Sequence, residues 1–259
     1  MTAAMTALLD IDRVSVSFGG VKAMDEVSFT AEEGKVTSII GPNGAGKTTL
    51  FNVISGFYTA RSGAISFDGT RLDGAPAHAR SELGIARTFQ NIALFAGLTV
   101  LENIKLGAHA QLKSGLFRSA LWLGPARREE RALTQRIDDE IIDFLDLGAV
   151  RDAQVAGLPY GLQKRIELAR ALAARPRLLL LDEPVAGMTP PEKEKMADYV
   201  RKTVDRFGTT VLLIDHDMGM VMGLSDHVVA VNFGKVIAQG RPEAVRNDRE
   251  VVEAYLGAA

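Results

Sequence analysis

Three kinds of hydrophobic pattern succeed one another along the chain. Residues 8 to 18, 26 to 31 and 63 to 68 are short β-rich runs, set apart by turn signals such as Glu33-Gly34-Lys35 and Asp68-Gly69, and they predict an antiparallel sheet. Val36 to Ile40 reads as a buried strand. Leu178 to Leu181, Val211 to Ile214 and Val228 to Val231 are continuous apolar runs separated by helical patterns, the arrangement of a parallel sheet covered on both faces. From Leu98 to Leu147 the period becomes helical, with Leu133, Ile137, Ile141 and either Phe144 or Leu145 on one stripe. The pattern therefore predicts an α/β core split by a helical insertion. Residues 111 to 130, which carry Trp122, Gly124-Pro125 and several arginines, read as an irregular connection with no assigned chemistry. Arg241 through Leu256 predicts two short helices docked on the core.

Composition narrows the classes further. A chain of 259 residues with 47% hydrophobic content is ample for a large core. A net charge of −2 gives no global reason to expect nucleic-acid binding, and Arg127-Arg128 reads as solvated surface. The absence of cysteine removes disulfides and thiolate metal sites and fits a reducing compartment. Met1 through Leu9 lacks the basic start and apolar run of a signal peptide. The longest apolar stretches are strand-sized, so any membrane part of its work falls to another chain.

Residues 41 to 48 read Gly41-Pro42-Asn43-Gly44-Ala45-Gly46-Lys47-Thr48, a complete phosphate-binding loop of the form G-x-x-x-x-G-K-[ST]. Its glycines permit backbone conformations that turn successive N–H groups around a β-phosphate. Lys47 supplies counter-charge to the β- and γ-phosphates, and the Thr48 hydroxyl suits magnesium. The strand before the loop and the short helical run from Thr49 to Gly56 after it put the phosphate at a helix N-terminus. A chance glycine-rich turn would not bring that context.

A second feature is Leu178 to Leu181 followed by Asp182-Glu183, a buried strand ending in two acids where open α/β sheets place ligand-binding residues. Asp182 is placed to hold magnesium through water, and Glu183 to orient a water toward the γ-phosphorus. The bland alternative is a pair of acids bridged to surface Lys or Arg.

The loop, Leu158-Pro159-Tyr160-Gly161-Leu162-Gln163 before a long helix, and Asp182-Glu183-Pro184 after a strand stand in the order that resembles the ATP-binding subunits of ABC transporters, over nearly the whole chain. The resemblance implies an α/β P-loop NTPase of the ABC type, with a mixed parallel-sheet core, an antiparallel β subdomain and a helical subdomain. It also implies ATP and Mg2+ as ligands, with Thr48, Gln90 and Asp182 around the metal. Gln90, in Arg87-Thr88-Phe89-Gln90, matches the family's Q-loop; His216 matches the switch histidine that contacts the γ-phosphate. Phe18, ahead of Gly19-Gly20, matches the aromatic that stacks on adenine, although a strand phenylalanine is more often core and the sequence leaves its face open. Pro159, Tyr160 and Gly161 match the signature segment, which in the family closes on ATP held by a second cassette. The helix after Gly161 carries an apolar stripe of Leu162, Ile166, Ala169 and Ala173, with Lys164, Arg165 and Arg170 elsewhere. Three positions, in two segments, depart from the family pattern. Pro159 and Tyr160 stand where Ser and Gly are usual, removing a hydroxyl donor, and Thr189 stands where many relatives have Asp.

Within the family the resemblance is to the LivG-like ATPases of branched-chain and other hydrophobic amino acid importers. Phe18 to Ala23, the signature variant, Asn232 to Ala238 and Glu253 to Gly257 carry it. Related importers of urea or short amides share these features. The implied partners are integral membrane permease subunits, a second ATP-binding subunit and an extracytoplasmic substrate-binding protein, at the cytoplasmic face of the inner membrane. A soluble ABC-type ATPase of translation or DNA repair is the alternative from another class; it would fuse two ATPase units or carry a long coiled coil, and neither is present. A binding module with little turnover is a third. The expected division is 1–92 for the antiparallel subdomain and first part of the core, 93–160 for the helical subdomain, 161–240 for the second part of the core, and 241–259 for the C-terminal helices.

Overall fold

The computed structural model describes residues 7–90, 92–108 and 124–256. They divide into two compact units, one made of the chain up to Arg87 and from Arg177 onward, the other running Thr88–Pro176.

In the first unit, β1 (Ala7–Phe18) and β2 (Val21–Glu32) form a hairpin across Gly19-Gly20, both at positive φ as a tight two-residue turn requires. With β4 (Ser62–Phe67) and β5 (Thr70–Arg71) they make an antiparallel sheet in the order β2-β1-β4-β5. The second sheet has the order β10-β9-β3-β8-β7-β6, from β3 (Val36–Ile40), β6 (Ile85–Arg87), β7 (Leu178–Asp182), β8 (Thr210–Ile214), β9 (His227–Asn232) and β10 (Lys235–Gly240). All its pairings are parallel except β9 with β10. Strands β3, β7 and β8 are buried along their whole length, which is why they read as apolar runs rather than alternating ones.

Helix α1 (Lys47–Ile54) brings Leu50, Phe51, Val53 and Ile54 into one core with Leu9, Ile11, Leu180 and Leu212 from the two sheets. Its C-terminus is held by Arg80, a buried cation on α2 (Ala77–Glu82). The Arg80 Nη1 donates to the Val53 and Ile54 carbonyls at 2.5 and 2.9 Å, offsetting the negative end of the helix dipole. On the other sheet face, α8 (Pro242–Arg246) and α9 (Arg249–Leu256) dock through Val245 and Val251, as the sequence anticipates.

The second unit contains α3 (Val100–Gly107), α4 (Gly124–Ile137) and α5 (Tyr160–Ala173). It takes in Gln90 and all of α5, so it is wider at both ends than the 93–160 segment. The cause is close packing of α5 on α3, where a Cβ at Gly107 would overlap the Arg170 carbonyl. Gly124 to Glu130 is helical rather than irregular; the rest of the expected connection, with Trp122, lies outside the described residues. A π turn at Asp138–Ile142 underwinds the end of the α4 stripe, so Leu145 rather than Phe144 is the fully buried fourth member. No helix among the described residues is long and apolar enough to cross a membrane.

Candidate functional site

The loop leaves β3 at Gly41 and enters α1 at Lys47. Gly41, Gly44 and Gly46 have φ of +152°, +80° and +102°, conformations open to glycine. A Cβ at Gly41 would overlap the Val231 carbonyl, and one at Gly46 the Ala23 carbonyl, so β9 and β2 fix the loop by direct backbone contact. Pro42 and Ala45 close the turn, the Ala45 N–H donating to the Pro42 carbonyl at 3.2 Å; Asn43 lies between them. The Gly46 cap offers α1 no side-chain acceptor, so the positive end of the helix at Lys47, Thr48 and Thr49 faces the loop. The Lys47 Nζ crosses the loop and donates to the Gly41 and Pro42 carbonyls at 2.6 and 2.9 Å. Burial holds the Lys47 pKa below the ordinary lysine value, and the fields of Glu183 and Asp182 oppose that shift. Cation and carboxylates thus share one end of the parallel strands.

Asp182 ends β7 with its Oδ2 accepting from the Arg87 Nη2 at 2.9 Å, both side chains nearly inaccessible. The Arg87 Nη1 donates to Asn52 Oδ1 at 2.7 Å and Ser55 Oγ at 3.1 Å, and the guanidinium stands 5.5 Å from the Phe51 ring centre. Those extra bonds to α1 are what a buried ion pair needs to be tolerated. Arg87 was visible in the sequence only as the start of the Q-loop motif. The structure adds it as the residue that locks Asp182 to the phosphate-loop helix.

Glu183 adopts φ of +48°, an uncommon conformation for a non-glycine residue, with its N–H bonded to the Ile214 carbonyl at 2.8 Å. His216, just past β8, brings its Nδ1 to 3.8 Å from Glu183 Oε1, and its side chain is 65% exposed. Capping of α7 (Met218–Leu224) falls to Asp217, whose Oδ1 accepts the Met220 N–H at 3.1 Å, leaving the histidine without that duty. The preceding Asp215 is buried and takes the Asp217 N–H at 2.8 Å, which fixes the bend carrying His216. Phe18, whose face the sequence leaves open, is exposed and meets Tyr58 edge-on at 5.1 Å. Thr189 caps α6 (Pro190–Phe207), its N–H and hydroxyl donating to the Glu192 carboxylate at 2.9 and 2.7 Å.

The second unit holds Gln90, Pro159, Tyr160 and Gly161. Helix α5 begins at Tyr160, with Pro159 as a cap that contributes no side-chain bond. Lys164, expected off the packed stripe, is 4% exposed and Glu167 2%. The Lys164 Nζ donates to the Gln90 carbonyl at 2.9 Å, and Glu167 Oε1 accepts the Ala93 N–H at 2.9 Å. Both belong on the packed face because the polar backbone of Gln90 and Ala93 lies against it.

The donor set also suits magnesium. The Thr48 hydroxyl and Asp182 carboxylate are hard oxygen donors of the kind magnesium prefers.

A glycine loop between β3 and α1, with carboxylates at the end of β7, two strands away in the same parallel sheet, defines a P-loop nucleoside triphosphatase. The family model for ABC transporters matches residues 24–186, and one for branched-chain amino acid ATP-binding cassette transporters matches 235–259. The chain belongs to the ABC transporter family, as an ATP-binding cassette and ATPase. It is 41% identical over 254 residues to the high-affinity branched-chain amino acid transport ATP-binding protein LivG of Salmonella typhimurium, covering 97% of this chain and 98% of that one. The corresponding protein BraF of Pseudomonas aeruginosa is 39% identical over 252 residues, at 97% and 98% coverage. The solved ADP conformation of an ATP-binding cassette of an ABC transporter matches with a TM-score of 0.84 and 33% identity, over 97% of this chain and 99% of the other.

Proposed function

We propose that this chain is the ATP-hydrolysing subunit of an importer for branched-chain or other hydrophobic amino acids, peripheral on the cytoplasmic face of the inner membrane. The observation that carries its catalytic part is the convergence of Lys47, Asp182, Glu183 and His216 at one end of β3, β7 and β8. The cargo class is supported by the relatives above and by the C-terminal match.

In this reading ATP lies with its phosphates in the loop of residues 41 to 49 and its adenine against Phe18. Glu183 orients the attacking water and accepts its proton, His216 and Lys47 meet charge on the γ-phosphate, and Gln90 senses the nucleotide. Magnesium held by Thr48, Asp182 and Gln90 would neutralise phosphate charge. Pro159, Tyr160 and Gly161 of a second subunit, identical or a related companion, cover the γ-phosphate, with the Tyr160 and Gly161 N–H groups as donors, because Pro159 brings neither a hydroxyl nor an N–H. Permease subunits and an extracytoplasmic binding protein complete the system.

Purification from membranes under mild detergent tests the assignment: integral membrane chains should co-purify, and leucine uptake should depend on the protein. Recovery of ribosomes or DNA instead would overturn it. Lys47→Ala should weaken ATP binding by about ten- to a hundredfold, the range of a lost charge-assisted hydrogen bond, as read by nucleotide titration.

A further inference from the structure

Helix α9 contacts the phosphate loop through Tyr255. Helix α9 lies on the sheet face where Val251 joins Ile40, Val228 and Ala230, with Tyr255 packed beside them. From there the Tyr255 hydroxyl accepts the Gly41 N–H at 2.9 Å. Burial pushes the Tyr255 phenol above its ordinary pKa, so it stays a neutral hydroxyl at physiological pH.

Gly41 is buried, and its carbonyl is one of the two to which Lys47 donates. The N–H and the carbonyl of this one glycine are therefore held by different parts of the chain, α9 and the lysine. Without the phenol, the N–H is left buried and unbonded in the cradle conformation. Glycine's backbone freedom provides the escape, a rotation of the Ile40–Gly41 peptide that takes the loop out of phosphate-binding shape. A nucleotide then has to select the minority cradle conformer, and its apparent affinity falls in proportion.

The geometry points to Tyr255 as a positioning residue that sets the phosphate loop, so that docking of α9 on the sheet governs nucleotide affinity. This rests on reading the loop as the nucleotide site. The test uses the full chain and Tyr255→Phe, which keeps the ring and its packing and deletes only the hydroxyl. Titration with magnesium-ADP should give a Kd about three- to tenfold weaker than wild type. Hydrogen exchange should quicken in peptides spanning residues 36 to 46 and stay unchanged in the second unit. Tyr255→Ala, which also removes the packing, should add a loss of melting temperature. A purely packing role predicts the reverse, with Tyr255→Phe silent in both readouts, and that result overturns the inference. Failure of the wild-type chain to bind ADP would instead sink the nucleotide-site reading itself.

Discussion

Glu183→Gln should lower ATP turnover by about 10²–10⁴-fold, the contribution typical of a positioned general base, while nucleotide affinity stays within a few-fold of wild type. Glutamine keeps the size of the side chain and removes its charge and basicity. The backbone position does not depend on the carboxylate, since the Glu183 N–H is bonded to the Ile214 carbonyl. A left-handed non-glycine residue is held only where its surroundings over-determine it, and here the end of β7 and the bond to Ile214 of β8 do so. Substitution should therefore change chemistry without moving the loop. Loss of the carboxylate also removes repulsion toward a γ-phosphate, so ATP-bound dimer should accumulate and be seen as a doubled mass in size-exclusion chromatography with ATP. The matching change His216→Ala should impair turnover as well, because Nδ1 lies 3.8 Å from Glu183 Oε1. Undiminished turnover in Glu183→Gln would remove Glu183 from the mechanism.

The parts legible in the sequence were those written in local pattern. Glycines 41, 44 and 46 announce their backbone through residue type, and the buried strands announce theirs through unbroken apolar runs. What stayed hidden depends on contacts between distant segments. Tyr255 meets Gly41 across 214 positions, and Arg87 reaches Asp182 across 95. Neither pairing has a period or a spacing to betray it. Lys164 misleads for a different reason. Helical periodicity assigns charged residues to water, whereas a helix face packed on irregular backbone must supply hydrogen-bond partners to that backbone. Leu162, placed on the apolar stripe, is only half-buried, and Lys164 and Glu167 take the covered face. The choice between Phe144 and Leu145, which periodicity leaves open, is settled by a π turn that has no sequence signature.

That charged face carries the largest expected effect on stability. Glu167 lies 3.6 Å from the Lys164 Nζ and 3.9 Å from the Arg170 guanidinium, which itself donates to the Ala93 carbonyl at 2.6 Å. Burial pushes the Glu167 pKa up; the Ala93 N–H and the two cations counter the shift. Glu167→Ala leaves two cations in or near a packed interface without their counter-charge, a change that costs about 3–5 kcal/mol. For a chain of this size, that corresponds to a fall in melting temperature of roughly 6–20 °C. Glu167→Gln, which retains an acceptor for Ala93 and loses the charge, should fall between this variant and wild type. The functional consequence follows from which backbone the triad grips. Lys164 holds the Gln90 carbonyl and Glu167 the Ala93 N–H, so the segment of Gln90 and Ala93 and helix α5 are one mechanical piece. In Glu167→Gln, hydrogen exchange should rise at residues 90 to 95, and permease-stimulated ATP turnover should drop more than turnover of the isolated subunit. Equal losses in both would mean that the triad serves stability alone.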